Sequence, residues 1–234
     1  MITLEIACNS LQSCAAAAKA GAHRIELFEN IADGGCTPSA GSIKASLQYG
    51  LPIYVMIRPK AGNFVYNTAE IDAMYTDIEI CKTLGAHGIV FGCLNKDNSV
   101  DQTLNKALLN AWGGPATFHR AIDRSNNYFK SIEQIIDLGF ERVLSSGAEA
   151  NVDLGINNLS KAIQLYGQHI DIMPGAGVNI KNIQYIIQTT GCKSIHATCK
   201  TTIQHQGIGQ TPDCETISDE ESIRELLGEI RAKS

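Results

Sequence analysis

The chain has 234 residues, of which 44% are hydrophobic and 18% charged, a balance that folds around a core rather than staying disordered. A formal net charge of −5 leaves no excess of cations to grip nucleic acid or an anionic membrane. The apolar run at 51–57 and others like it fall far short of the roughly 20 residues that cross a bilayer.

In chain order, apolar segments bounded by Gly, Pro and polar residues alternate with helical patterns. A strand over 3–7 leads, through Ser10 as N-cap, into an alanine-rich helix over 10–19. The next pairs are 24–28 with 39–47, 53–58 with 68–84, and 88–94 with 101–112. They are followed by 116–122 with 129–138, 142–146 with 152–166, and 171–174 with 180–189. The eighth strand, 194–199, precedes a long loop over 200–217 and a last helix over 218–232. Ser218 and Glu221 give that helix a capping-box signature. Gly21, Gly85, Gly139 and Gly191 each follow a helical pattern and precede a strand, as a left-handed helix stop does. Eight strand–helix units predict an α/β fold, a single (β/α)8 barrel spanning 1–234 as one domain. The loop over 200–217 is the only long connection and is expected to lid the barrel mouth.

Met1-Ile2-Thr3-Leu4-Glu5 lacks the basic and apolar regions of a secretory leader, so the expected location is the cytoplasm. The eight cysteines contain no C-x-x-C pair and match no zinc module. They read as scattered reduced thiols, several of them buried as small hydrophobes.

Strands in such a barrel are covered on both faces, so polar residues within them stand out. Glu5, Glu26, Arg58, His119 and His196 each sit between mostly apolar neighbours. Side chains alternate faces along a strand, which turns all five toward the barrel axis if their neighbours face the helices. Lone buried charges are too costly to persist unpaired. The five therefore either satisfy one another in the core or meet water at the mouth, where barrel enzymes place their chemistry. His119 is the candidate general acid or base, with Glu5 or Glu26 as its carboxylate partner. Arg58 and Arg120 are candidates to hold negative groups, and Asp123 to orient an arginine or a water. The turns at Ser146-Gly147 and Gly175-Ala176-Gly177 follow the sixth and seventh strands. They are candidate anion cradles or plain tight turns.

Arg24-Ile25-Glu26-Leu27, Gly34-Gly35-Cys36-Thr37-Pro38-Ser39, Met56-Ile57-Arg58-Pro59, Val90-Phe91-Gly92, Thr117-Phe118-His119-Arg120-Ala121 and Met173-Pro174-Gly175-Ala176-Gly177-Val178 follow one another in order. Together they resemble the CutC copper-homeostasis family, over about 3–200. The resemblance implies a cytoplasmic TIM barrel and, by the family's name, copper handling. It also implies two copper-binding cysteines, at positions that are Ala7 and Phe28 here. Thiolates suit Cu(I) because both are soft, and neither a methyl nor a phenyl group replaces one. Cys8 is one residue away from Ala7, but strand parity turns it toward the helices. No metal ligands are assigned, and the cofactor is left unknown. Two readings stand: a copper-handling protein without turnover, or a barrel enzyme acting on a small phosphate- or carboxylate-bearing metabolite. The partner expected is that small anionic ligand, with neither nucleic acid nor a membrane; a homo-oligomer stays open.

Overall fold

A computed structural model describes residues 2–205 and 213–232. Eight parallel strands form the sheet: β1 (Thr3–Cys8), β2 (Arg24–Leu27), β3 (Ile53–Met56), β4 (Gly88–Phe91), β5 (Ala116–Phe118), β6 (Arg142–Ser145), β7 (Asp171–Pro174) and β8 (Ser194–Ala197). Their order is β7-β6-β5-β4-β3-β2-β1-β8. β7 and β8 lie against each other at the seam, where Ser194 Oγ donates to Asp171 Oδ2 at 2.7 Å. The helices between them are α1 (Leu11–Ala20), α2 (Ala40–Ser46), α3 (Thr68–Leu84), α4 (Gln102–Trp112), α5 (Tyr128–Leu138), α6 (Val152–Tyr166), α7 (Ile183–Thr190) and, last, α8 (Glu220–Arg231). The molecule is a (β/α)8 barrel.

Period-two alternation divides the packing into two layers. Leu4, Ile6, Cys8, Ile25, Leu27, Ile53 and Val55 point outward and pack in one cluster with helix residues such as Ala17, Met74 and Ile78. Each fully buried Leu or Ile there contributes about 1.5–3 kcal/mol of burial free energy. Alternate residues point inward, where Ala7, Phe28, Tyr54, Met56 and Val90 form a separate, smaller cluster. Gly88 makes room for it: a Cβ there would lie 2.3 Å from the Tyr54 ring.

The helix starts and stops follow local chemistry. Ser10 accepts from Ser13 N, and Asp101, Asn127 and Asn151 cap α4, α5 and α6 in the same way. The four glycines expected to end helices adopt left-handed φ values of 84, 83, 96 and 63°, and Gly113 ends α4 in the same way at 71°.

Several boundaries differ from expectation. The fifth strand stops at Phe118, and Arg120–Arg124 winds into a short 3-10 turn, so His119 lies just past the strand end. α7 begins at Ile183 rather than at 180, because Asn179 N is bound by Asn182 Oδ1 in a turn ahead of it. The capping box does not form: Asp219 caps α8, while Ser218 is the last residue of a strand and donates from Oγ to the Ala7 carbonyl. The expected loop over 200–217 contains an antiparallel hairpin, β9 (Lys200–His205) with β10 (Asp213–Ser218). Its β-branched residues, among them Thr201, Thr202, Ile203, Thr216 and Ile217, favour extended chain without giving an apolar run. Asn9 Nδ2 ties β10 to the β1 end through Thr216 O at 2.9 Å. The middle of the proposed lid, 206–212, lies outside the described residues. Among the described residues no helix is long and apolar enough to cross a membrane.

Candidate functional site

A cavity of about 230 Å3 opens at the carboxyl ends of the strands. Glu26, His119, Arg120 and His196 line it together with apolar Phe28, Met56, Phe64 and Leu144. Ala7 and Phe28, the positions of the family's cysteines, both face it.

Strand register sets the acidic end. Glu5 on β1 is flanked by Arg24 on β2 and His196 on β8. All three are buried, and the Arg24 guanidinium is ion-paired to Glu5 Oε2. His196 Nδ1 lies 2.8 Å from Glu5 Oε1, and its Nε2 lies 3.6 Å from Glu26 Oε2. An ionised Glu5 places the hydrogen of that contact on Nδ1, which leaves Nε2 facing Glu26.

The two glutamates are driven in opposite directions. Burial alone would raise the pKa of Glu5, but Arg24 and His196 outweigh it and hold the group down at about 2. Burial raises Glu26 to about 7, with His196 opposing and the Glu5 charge adding to the rise. His196 itself is raised, because Glu26 and Glu5 outweigh its burial. One carboxylate is thus fixed as an anion while the other exchanges its proton near neutrality, a division that acid–base sites use. Glu26 Oε1 is buried with no hydrogen-bond partner.

His119 supplies the second unusual group. Its Nδ1 accepts from the Ala121 N–H at 3.3 Å, and its ring packs on Phe64 with centroids 4.7 Å apart. Burial, with help from Arg58, lowers its pKa to about 3, so the ring is neutral and its hydrogen sits on Nε2. That Nε2 is buried without a partner. Gly92 is needed beside it, since a Cβ there would lie 2.9 Å from Nδ1.

The other candidates are placed differently. Glu5 lies beneath the cavity, behind His196, and does not line it. Arg58 also stays outside the lining; its guanidinium donates to the carbonyls of Asp33, Gly35 and Gly62 and so clamps two loops. Asp123 accepts from Arg120 Nε, Ser145 Oγ, and the N–H groups of Ser146 and Ala148. The Gly147 N–H is bound by Ser145 Oγ at 2.8 Å. The Ser146-Gly147 turn, expected to cradle an external anion, therefore has its amides satisfied by an internal carboxylate and hydroxyl. At the seventh strand, Gly175 N–H donates to Ser145 O, and Gly177 lines the cavity beside Ala176. Both of these last residues have positive φ, 69° at Ala176 and 92° at Gly177.

The sequence reading missed the inward charges lower in the barrel. Arg24 and Arg142 are buried, and both guanidinium groups lie over the Tyr54 ring, 5.2 and 5.1 Å from its centroid. Arg142 Nε also pairs with Asp171 at 3.1 Å. The same parity that turns Glu26 inward does so for Arg24, two residues earlier.

Copper chemistry fits this cavity poorly. The ligand atoms of Glu5, Glu26 and His196 come within 4.8 Å of one another, as metal ligands would. They offer oxygen and nitrogen where Cu(I) favours thiolate, and Arg24 already neutralises Glu5. Among the described residues no cysteine lines the cavity. Cys8 packs in the outer layer, and burial keeps the Cys81 and Cys199 thiols protonated, with pKa values pushed up to about 12.

Fold and site together define a (β/α)8-barrel protein with an acid–imidazole pocket at its mouth. The CutC family model matches residues 2–201, and the chain belongs to that family. Two similar relatives are the CutC family proteins of Aliivibrio fischeri and Parabacteroides distasonis. Each is 42% identical, over 86% of this chain and 83% or 84% of the relative. The solved CutC of Streptococcus agalactiae, whose name links it to copper homeostasis, superimposes with a TM-score of 0.81 at 38% identity, covering 85% of this chain and 99% of its own. The phosphoribosylanthranilate isomerase of Pyrococcus furiosus shares the fold, with a TM-score of 0.63 at 12% identity over 99% of this chain and 100% of that one.

Proposed function

We propose that this chain is a barrel enzyme that binds a small anionic metabolite at the strand ends and acts on it by acid–base chemistry. One observation carries the reading: two buried polar atoms without partners, Glu26 Oε1 and His119 Nε2, belong to side chains that line the same cavity. Leaving such groups unsatisfied costs about 1–3 kcal/mol each, a cost that a ligand supplying the missing partners removes. Glu26 is the acid or base, His196 and Glu5 hold it in place, and neutral His119 donates from Nε2. Arg120 faces the negative group of the ligand. Copper handling is supported by the names of relatives and by no donor set in the cavity. A cytoplasmic location accords with an interior of protonated thiols.

Parallel calorimetric titrations with propionate, inorganic phosphate and Cu(I) test the reading. At least one of the two anions should bind the wild type, and Arg120→Met should weaken it by about tenfold, the effect of losing one charge-assisted contact. Stoichiometric Cu(I) binding tighter than to an unrelated thiol protein, with neither anion bound, would overturn it.

A further inference from the structure

The pocket's polar groups differ in kind, and the difference points to a reaction class. His119 is 3% exposed and its Nδ1 is occupied by the Ala121 N–H, so its one remaining function is to donate a hydrogen bond from Nε2. A neutral donor in an apolar wall, against Phe64 and Phe118, is suited to an oxygen that gains charge during reaction, where a fixed cation would already bind the starting state. Glu26, also 3% exposed, presents an unpartnered Oε1. At the cavity edge the N–H groups of Ala176 and Gly177 meet no acceptor among the described residues, and both residues have left-handed φ values. Arg120 is held by Asp123 and Ser146 through Nε and Nη2, which leaves Nη1 available.

We propose that the pocket is a carbon-acid site. It takes a small carbonyl compound bearing a carboxylate or phosphate and moves a proton at the carbon next to the carbonyl. The Glu26 carboxylate forms an O–H bond with that proton as the C–H bond breaks. The C–H electron pair becomes the new C=C bond, and the carbonyl π pair moves to oxygen, where the His119 Nε2–H meets it. Return of the proton from Glu26 to the same carbon, on either face, completes an exchange or epimerisation, and its return to the oxygen leaves the enol, with no oxidant or co-reactant consumed. Arg120 and the Ala176 and Gly177 amides hold the anionic end. This proposal rests on the reading of the mouth as a small-anion enzyme site, and deepens it.

The test uses 3-nitropropionate, a carboxylate whose C–H beside the nitro group is acidic and whose nitronate mimics an enolate, with propionate as its binding control. Loss of the proton signal beside the nitro group is followed by NMR in D2O. Wild-type protein should accelerate exchange, Glu26→Gln should remove about a hundredfold or more of that acceleration, and both proteins should bind the probe. His119→Gln, which keeps a neutral N–H donor, should retain part of the exchange that His119→Phe loses. Binding of 3-nitropropionate without accelerated exchange, or equal exchange in wild type and Glu26→Gln, would overturn the carbon-acid proposal while leaving the anion pocket standing. Binding of inorganic phosphate but of neither carboxylate overturns the carbon-acid proposal alone, and binding of none of the three anions to the wild type overturns both.

Discussion

At Glu5 and Arg24 two full charges sit side by side inside the barrel, Glu5 completely buried and Arg24 nearly so. Desolvating each costs several kcal/mol, and the pair persists only because each is the other's main partner. Removing one member exposes that balance. Arg24→Met should cost about 3–5 kcal/mol in urea unfolding at neutral pH, since it strands a buried carboxylate. Adding Glu5→Gln to it should restore a large part of the loss. A loss below about 1 kcal/mol for the single variant would show that Glu5 is held by something other than this guanidinium. The sequence made three of the four members of this cluster visible. Glu5, Glu26 and His196 stand between apolar neighbours, so parity alone turns them inward, and they do meet. Arg24 follows His23 and opens its strand, and a search for a polar residue flanked by apolar ones passes over it. Nor could parity place Arg58, which reaches out of the axis to the carbonyls of Asp33 and Gly35, 25 and 23 residues away in sequence.

Among the elements, the turn after β6 shows how a glycine pattern can be legible while its purpose is not. Gly147 was readable as a turn, but the contacts that require it come from α6. A Cβ on Gly147 would lie 2.3 Å from the Gly155 carbonyl oxygen, and its φ is 77°. Helix and turn approach so closely that neither side accepts a methyl group, and Asp123 closes the same turn from the other side by taking its N–H groups. Gly147→Ala combines overpacking with a left-handed backbone, so it should lose about 2–4 kcal/mol. Urea midpoints measured against Gly113→Ala, where a Cβ meets nothing within 4 Å and φ is 71°, separate the packing part from the backbone part. Equal losses at the two glycines would mean that the close approach to Gly155 contributes nothing. The eight strand–helix units were legible because apolar segments alternate with helical patterns, and left-handed glycine stops mark several of the joins. The β9–β10 hairpin was not, because threonines and other polar residues carry its extended chain and no apolar run marks it.

For the whole molecule, the buried titratable groups fix how stability varies with pH. Two act on the acid side. Glu5 has a folded pKa of about 2 against an ordinary value of 4.5, so its contribution is complete above 4.5 and is lost as pH falls toward 2. His119 stays neutral down to about 3 against an ordinary value of 6.5. The unfolded chain therefore takes up a proton first, and stability falls as pH drops from 6.5 toward 3. Across neutrality the sign reverses. Glu26 keeps its proton to about 7 against 4.5, so the folded state binds the extra proton and its stability declines as pH rises through that window. His196, whose pKa is raised, acts in the same sense above 6.5. The opposing slopes overlap between 4.5 and 6.5, and the contribution of these four groups should peak there. Glu26→Gln removes the declining limb: relative to wild type its stability should grow from 4.5 to about 7 and hold steady above that. His119→Gln should gain instead below 6.5. Urea midpoints taken across this range distinguish the two, and a Glu26→Gln curve parallel to wild type throughout would remove Glu26 as the buried group that titrates at neutrality, and with it the acid–base role of the pocket.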